Sequence, residues 1–536
     1  MNKLTSIFLF LSLLGFSQQK GKKGNVGDGA KLVIAKQKLY AGDNIGALNA
    51  YREVENNNPN DASVKYYVGL CYFNLKQIAK AKEELLAAIQ INKDVKPETH
   101  LLLGKIYQLE ENYNDAINEA AKFKAAQNVG KEDLEDADLL TKQCLNAKTL
   151  VENPMNVKVT NMGSGINSSY DDKNPCITAD GQKMVFTTRR PENTNALVDL
   201  DGDGKYFENI YIASLDTLTL EFSSAESVGQ PANTLAHDAC TSISPDGKQI
   251  FIYKNDINDK ASIGGNIFVS KVQNEKWKKP EPLGKPINSS YWEGGVCISP
   301  DGKKYFFSSE RPGGYGSSDI WVVERNKKEW GKPVNLGPEI NTPYDEAGMF
   351  LAPDGKTLFF CSNGPASMGN YDVFKTVFEN GKWTTPVNVG YPINSSAKEG
   401  QLTISADARY AYVSSDRKGG LGESDIYKID LMDYAILEKD GKKITSSGLS
   451  IIKGTIREGG EGYGVQDVDI KITDEAGKLI ASALSSEMGE YFFTLPGGKY
   501  ILNVSKKGYQ TISEPVTLEI SENGTPVLEK GYLLKK

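Results

Sequence analysis

Five copies of one strand–turn–strand unit constrain this 536-residue chain more than any other feature. The copies read ITADGQKMVFTT, ISPDGKQIFIYK, ISPDGKKYFFSS, LAPDGKTLFFCS and ISADARYAYVSS. Their turn aspartates are Asp180, Asp246, Asp301, Asp354 and Asp407, spaced by 66, 55, 53 and 53 residues. An Asp-Gly pair between two short apolar runs is hairpin chemistry, because glycine accepts the positive φ of a tight turn. Ala408 replaces that glycine in the fifth copy, which predicts a looser turn there. A period near 53 residues with four short strands is the size of one propeller blade, so residues 155–435 are expected to form five blades.

Three further columns run in register. An acid precedes each turn aspartate by 8 residues: Asp172, Asp238, Glu293, Glu346 and Glu399. Downstream, Asn209, Asn266, Asp319, Asp372 and Asp425 each precede an aliphatic–aromatic pair. Arg190, Arg311 and Arg417 follow their turns by ten residues in three copies. The five copies resemble the TolB-type (PD40) propeller repeat across about half the chain. The Asn/Asp column is read as structural, bonding to neighbouring turns and to the arginine of its own copy. The acid column allows two readings. The carboxylates either point inward at one mouth of the channel, where a ring of like charges attracts a basic segment of a partner, or turn sideways onto backbone N–H groups. The ring is the candidate binding site.

The first copy carries an insertion with Asp199, Asp201 and Asp203 alternating before Gly204, and Glu208 nearby. Alternating carboxylates ending in glycine resemble the start of a calcium loop. The twelfth position is Ile210 instead of Glu, so the expectation is weak calcium binding at these three aspartates or a solvated acidic loop.

Upstream, Ala47, Ala81 and Ala116 recur in steps of 34 and 35. Gly69 and Gly104 lie 35 apart, each followed three residues later by a tyrosine, Tyr72 and Tyr107. The first unit has Ala35 in the glycine position and closes after Pro59. This pattern resembles the tetratricopeptide repeat, a pair of antiparallel helices whose small residues permit close approach. The array is expected over residues 28–150, with 132–150 as its cap and a groove suited to an extended peptide or a partner helix.

After residue 448 the text turns to short strands, such as GEYFFTLPGGKYILNVSKKGY. The pattern Gly489-Glu-Tyr491, Leu495-Pro-Gly-Gly498-Lys-Tyr500 and Gly508-Tyr509 resembles the carboxypeptidase regulatory-like domain. That resemblance implies a non-catalytic, transthyretin-like β-sandwich over residues 448–536. The fold class is therefore multidomain α plus all-β.

Residues 7–16 form an apolar run behind Lys3, too short to span a membrane, with small residues before Gln18. Residues 1–17 are expected to be a signal peptide and 18–27 a linker. No other segment is apolar enough for a transmembrane helix. The six cysteines are scattered through apolar runs, which favours buried thiols over disulfides. Net charge is −7 with no basic block, a poor match for nucleic acid. Hydrolase and nucleotide motifs (GxSxG, HExxH, Walker loop) do not occur. His237 beside Asp238 has no nucleophile to serve.

The order of repeats, propeller and sandwich is similar to envelope proteins of Bacteroidota, among them the peptidoglycan-associated component of the type IX secretion machinery. Many of those end in an OmpA-like domain and carry a lipidated cysteine. This chain ends after the sandwich and has no cysteine before Cys71, so attachment is expected to run through partners. The resemblance implies a non-enzymatic periplasmic scaffold, peripheral at the outer membrane, that binds outer-membrane or periplasmic proteins with indirect peptidoglycan association. The alternative is a periplasmic recognition module for a glycan or peptide at the propeller face.

Overall fold

The computed structural model describes residues 26–536 apart from 128, 200–202, 217, 256–264, 274, 327–328, 433, 440–441, 445–447, 460–461 and 522–523. The leader expected over 1–17, and all but the last two residues of the linker, lie outside the described residues. Two compact units divide between Lys96 and Pro97.

The first unit contains helices α1 (Val26–Tyr40), α2 (Asn44–Asn57), α3 (Ala62–Asn74) and α4 (Ile78–Ile91). Each packs on the next. Asp43 and Asp61 cap α2 and α3 by accepting from first-turn N–H groups. Ala35, Ala47 and Ala81 are fully buried. A Cβ on Gly69 would stand 2.8 Å from Leu85 Cγ and 3.3 Å from the Ala81 carbonyl, so the glycine permits the close contact of α3 with α4. Beside it, Arg52 and Lys65 pair with Glu55 and Glu84 at 2.5–3.0 Å, and Tyr72 Oη accepts from Arg52.

The second unit opens with α5 (Glu98–Leu109), α6 (Tyr113–Lys124) and α7 (Lys131–Glu152). Gly104 repeats the role of Gly69: its Cβ would lie 3.2 Å from the Ala116 carbonyl and 2.8 Å from Leu140.

Antiparallel sheets follow in a propeller-like order. Among the described residues there are five, with inner strands Asp172–Ile177, Asp238–Ile243, Glu293–Ile298, Glu346–Leu351 and Glu399–Ile404. Each inner strand packs beside the next, and the fifth packs beside the first. Residues from all five, including Cys176, Ser242, Cys297, Phe350 and Thr403, line a small axial cavity. The strand Lys158–Asn161, which precedes the first sheet, completes the fifth by pairing antiparallel with Asp425–Asp430. The first and last segments of the ring are thereby hydrogen-bonded together.

The Asp-Gly turns take positive φ, from 69° to 72°, at Gly181, Gly247, Gly302 and Gly355. Ala408 takes φ 50° and keeps the same turn bond, its N–H donating to Ser405 at 3.0 Å. The fifth turn is therefore not looser. Alanine accepts a backbone conformation that L-residues disfavour.

An asparagine five residues before each column acid stitches the sheets together. Asn167, Asn233, Asn288, Asn341 and Asn394 each accept from one backbone N–H and donate to the carbonyl of the same residue. That residue is the second of the third strand of the preceding sheet: Ile426, Ile210, Ile267, Ile320 and Val373 respectively. The amide thus imitates one rung of a β-ladder where no strand is present. Asn167 reaches Ile426 of the fifth sheet, which closes the ring.

Beyond the ring, two sheets share one core. The first is centred on Leu449–Glu458 and the second orders Leu479–Leu484, Asp469–Thr473, Gly498–Ser505 and Ile512–Leu518. Ile452, Val468, Ile470, Phe493, Leu502 and Val504 fill the space between them. Gly489 takes φ 76°, and a Cβ there would meet the Ile456 carbonyl at 2.2 Å. All six cysteines are buried, unpaired thiols, and among the described residues no helix is long and apolar enough to cross a membrane.

Asn341 is 1% exposed. Its replacement by alanine should strand both polar groups of Ile320 and cost about 2–4 kcal/mol. Urea unfolding followed by tryptophan fluorescence reads the loss.

Candidate functional site

The acid column is where the repeat concentrates buried charge. Asp172, Asp238, Glu293, Glu346 and Glu399 open the inner strands, and each is 0% exposed. Each accepts from the backbone N–H and the hydroxyl of the residue four positions earlier: Ser168, Thr234, Ser289, Thr342 and Ser395. The hydroxyl contacts span 2.5–2.8 Å. The lead-in turn would otherwise bury an N–H without an acceptor, and the carboxylate turns toward it.

Four of the five also meet a cation. Arg190 lies 2.6 Å from Asp172, Lys254 3.0 Å from Asp238, Arg311 3.2 Å from Glu293 and Arg417 3.0 Å from Glu399. The arginines donate as well to lead-in backbone carbonyls such as Ile287 and Ile393. These pairs correct two expectations. The acid column is not a charged ring open to a basic ligand, because every carboxylate is turned sideways, buried and bonded. The arginines serve this column and not the Asn/Asp column.

The three aspartates of the Asn/Asp column instead hold loops. Asp319 Oδ2 accepts from the Tyr315 N–H at 2.7 Å, Asp372 Oδ2 from Met368 at 2.8 Å and Asp425 Oδ2 from Leu421 at 2.5 Å.

The fourth sheet departs from the rule. Gly364 stands at its arginine position, and a Cβ there would already lie 3.3 Å from Tyr344. Glu346 is held by Thr342 and by the Ser362 hydroxyl at 3.0 Å, with no cation beside it among the described residues. Burial pushes its carboxyl up to about 7.

Helices occupy the surface above this sheet. Met368, 0% exposed, inserts among Leu101, Tyr113, Ala116, Phe123, Leu140 and Cys144 of α5, α6 and α7. Gln143 Nε2 donates to the Asn363 and Gly364 carbonyls at 3.0 and 3.3 Å. Asn146 donates to Ala366 at 2.6 Å and Gln108 to Met368 at 3.2 Å. Tyr113 shares a 2.9 Å bond with Ser396 of the following lead-in turn. An apolar knob, a socket floored by alanines and a fringe of amide donors form one junction. No sequence column marked it.

The acidic insertion does not assemble a calcium cage from its described members. Asp203 is engaged by both Arg189 contacts at 2.7 and 2.8 Å. Asp199 lies 3.2 Å from His237 Nε2, and Asp201 is outside the described residues. His237 also lies 3.3 Å from Glu208, which Lys173 meets at 2.6 Å. Burial opposes the charge on Glu208, but Lys173, His237 and Arg189 hold it well below the usual carboxylate range. Burial likewise opposes charge on His237, yet Glu208 and Asp199 raise it. These charges neutralise each other in place, and among the described residues no group of His, Cys, Asp and Glu suits a metal ion.

Residues 451–528 match the profile of the carboxypeptidase regulatory-like domain. The N-terminal helices resemble part of the BBSome complex member BBS4. Identity is 33% over 84 residues with the Mus musculus protein and 31% with that of Bos taurus, and the match spans 16% of each chain in both cases. The chain therefore spans only about a sixth of the length of these relatives. Among solved structures, an α-L-arabinofuranosidase from Lactobacillus brevis aligns at 15% identity and TM-score 0.34, over 49% of this chain and 90% of its own. An exo-β-1,3-galactanase from Clostridium thermocellum aligns at 10% and 0.33, over 67% and 86%. These structural likenesses are too remote to bear on activity.

The fourth sheet generates a pH test. Glu346 in the folded chain retains a proton that the unfolded chain releases, between the ordinary 4.5 and about 7. Its contribution is full at low pH and is lost as pH rises through that window. Glu346→Gln copies the protonated form. Relative to wild type, it should gain roughly 1–3 kcal/mol between about pH 5 and about pH 8. Glu399→Gln strips Arg417 of its partner and should cost about 1–3 kcal/mol. Urea midpoints across that range measure both.

Proposed function

We propose that the chain is a non-enzymatic scaffold of the bacterial periplasm. On this reading it holds protein partners in an outer-membrane or cell-wall-associated complex, with secretion as the associated process. The five sheets are read as a five-bladed propeller, the helices as a tetratricopeptide-type docking array, and the last domain as a transthyretin-like spacer. The observation that carries the reading is the junction on the fourth sheet. There a buried methionine and several amide bonds fix helical repeats to a β platform. A scaffold uses helices held firmly on a platform, which is what α5–α7 and the fourth sheet supply. The partial likeness to a protein named as a complex member points the same way.

The test is affinity purification of the tagged chain and of a version lacking residues 28–96, which removes only helices of the first compact unit. The full chain should retain a defined set of envelope proteins, and the deletion should reduce their recovery about tenfold or more. A small glycan or peptide bound without protein partners would instead favour recognition at the propeller face. Unchanged recovery after the deletion would contradict the docking role.

A further inference from the structure

The Met368 knob has two structural equivalents. In the third, fourth and fifth sheets the Asp column follows the turn aspartate by 18 residues, so the intervening loops have equal length. They read ERPGGYGSS at 310–318, NGPASMGNY at 363–371 and DRKGGLGES at 416–424. Tyr315, Met368 and Leu421 occupy the same position, four residues before Asp319, Asp372 and Asp425, and each is anchored through its N–H to that carboxylate. The next residue is glycine in all three. A Cβ on Gly316, Gly369 or Gly422 would lie 2.0–2.2 Å from a lead-in carbonyl of the adjacent sheet. The three knobs therefore sit at one level on the rim of the ring, pinned from both sides. Gly313 and Gly419 take φ 97° and 91° where the fourth loop has Ala366.

Their surroundings differ. Met368 is covered by α5, α6 and α7 and is 0% exposed, while Tyr315 and Leu421 are each 50% exposed. The chain itself shows what covers such a knob: an alanine-floored groove between packed helices, with Gln and Asn side chains donating to the loop carbonyls.

We propose that Tyr315 and Leu421 are docking knobs for a helical-repeat segment of a partner protein, received as Met368 receives α5–α7. The socket on α5–α7 is already filled by Met368, so a second copy of this chain does not offer that one. The occupied loop lies between the two exposed ones in ring order, so the partner would continue an established interface along the rim to either side. Exposed apolar side chains on pinned loops lose little entropy on binding, the condition under which a small contact contributes most. The inference rests on the reading of the chain as a protein-binding scaffold.

The test places a photo-crosslinking amino acid at 315, at 421 and, as control, at 218, where Leu218 is 93% exposed. The full-length protein is irradiated in its source cells, and crosslinked peptides are mapped by mass spectrometry. Positions 315 and 421 should crosslink to helical-repeat segments of a protein other than this chain. Leu421→Asp should weaken binding of that protein about tenfold or more without changing the melting temperature. Yields no higher than at 218, or crosslinks to non-helical segments or to a second copy, would overturn the proposal. If the knobs fail while partners still depend on residues 28–96, the scaffold reading stands without them. If neither surface holds a protein, both fail.

Discussion

A buried carboxylate at the head of each inner strand is the interaction on which the ring depends. Removing a carboxylate from water is costly unless hydrogen bonds and a counter-charge replace the solvent. Here each carboxylate receives a backbone N–H and a hydroxyl from its own lead-in turn, and in four sheets a Lys or Arg. The arrangement fixes the direction from which each sheet enters the ring. Breaking one partner leaves the others buried and uncompensated. The asparagine rungs act on the same turns from the other side. Between them, a lead-in segment with few apolar residues of its own is fully determined.

The same chemistry explains why one sheet is different. A guanidinium at position 364 would need room that Tyr344 occupies, and Gln143 of α7 bonds the carbonyls of Asn363 and Gly364. The loop gives its carbonyls to helix amides, and the missing cation leaves Glu346 with a raised carboxyl as the residual cost. The helices in turn bury Met368 and tie Tyr113 to Ser396. The fourth rim loop, which differs from its equivalents at several positions besides 364, is thus a fixed attachment point. The result is a platform that holds α5–α7 against the fourth sheet, the feature on which the proposed role is built.

Much of the architecture was legible because the turn chemistry is local. Asp-Gly turns, the spacing of Gly69 and Gly104 and the Gly489 turn each report a backbone requirement that only small or flexible residues meet. The offset of the acid column was equally plain, but an offset carries no information about side-chain direction. The decisive fact, that the Ser168 or Ser395 N–H has the carboxylate as its acceptor, belongs to a lead-in turn marked only by an Asn-Ser/Thr pair. The asparagine column was present in the text five residues before each acid and went unread, because a lone Asn in a loop has many explanations. Met368 was beyond sequence reasoning. Its column holds Tyr, Met and Leu, and only the packing of α5–α7 separates the buried member from the exposed two.

The central claim is that α5–α7 and the fourth sheet form one cooperative unit through Met368. Hydrogen exchange followed by mass spectrometry, on the wild-type chain and on Met368→Asp, tests it most directly. The account predicts that the substitution lowers protection in α5–α7 and in the loop 363–371 together, while the inner strands of the first three sheets keep theirs. Unchanged protection in the helices, or loss in the helices with the loop unaffected, would contradict it.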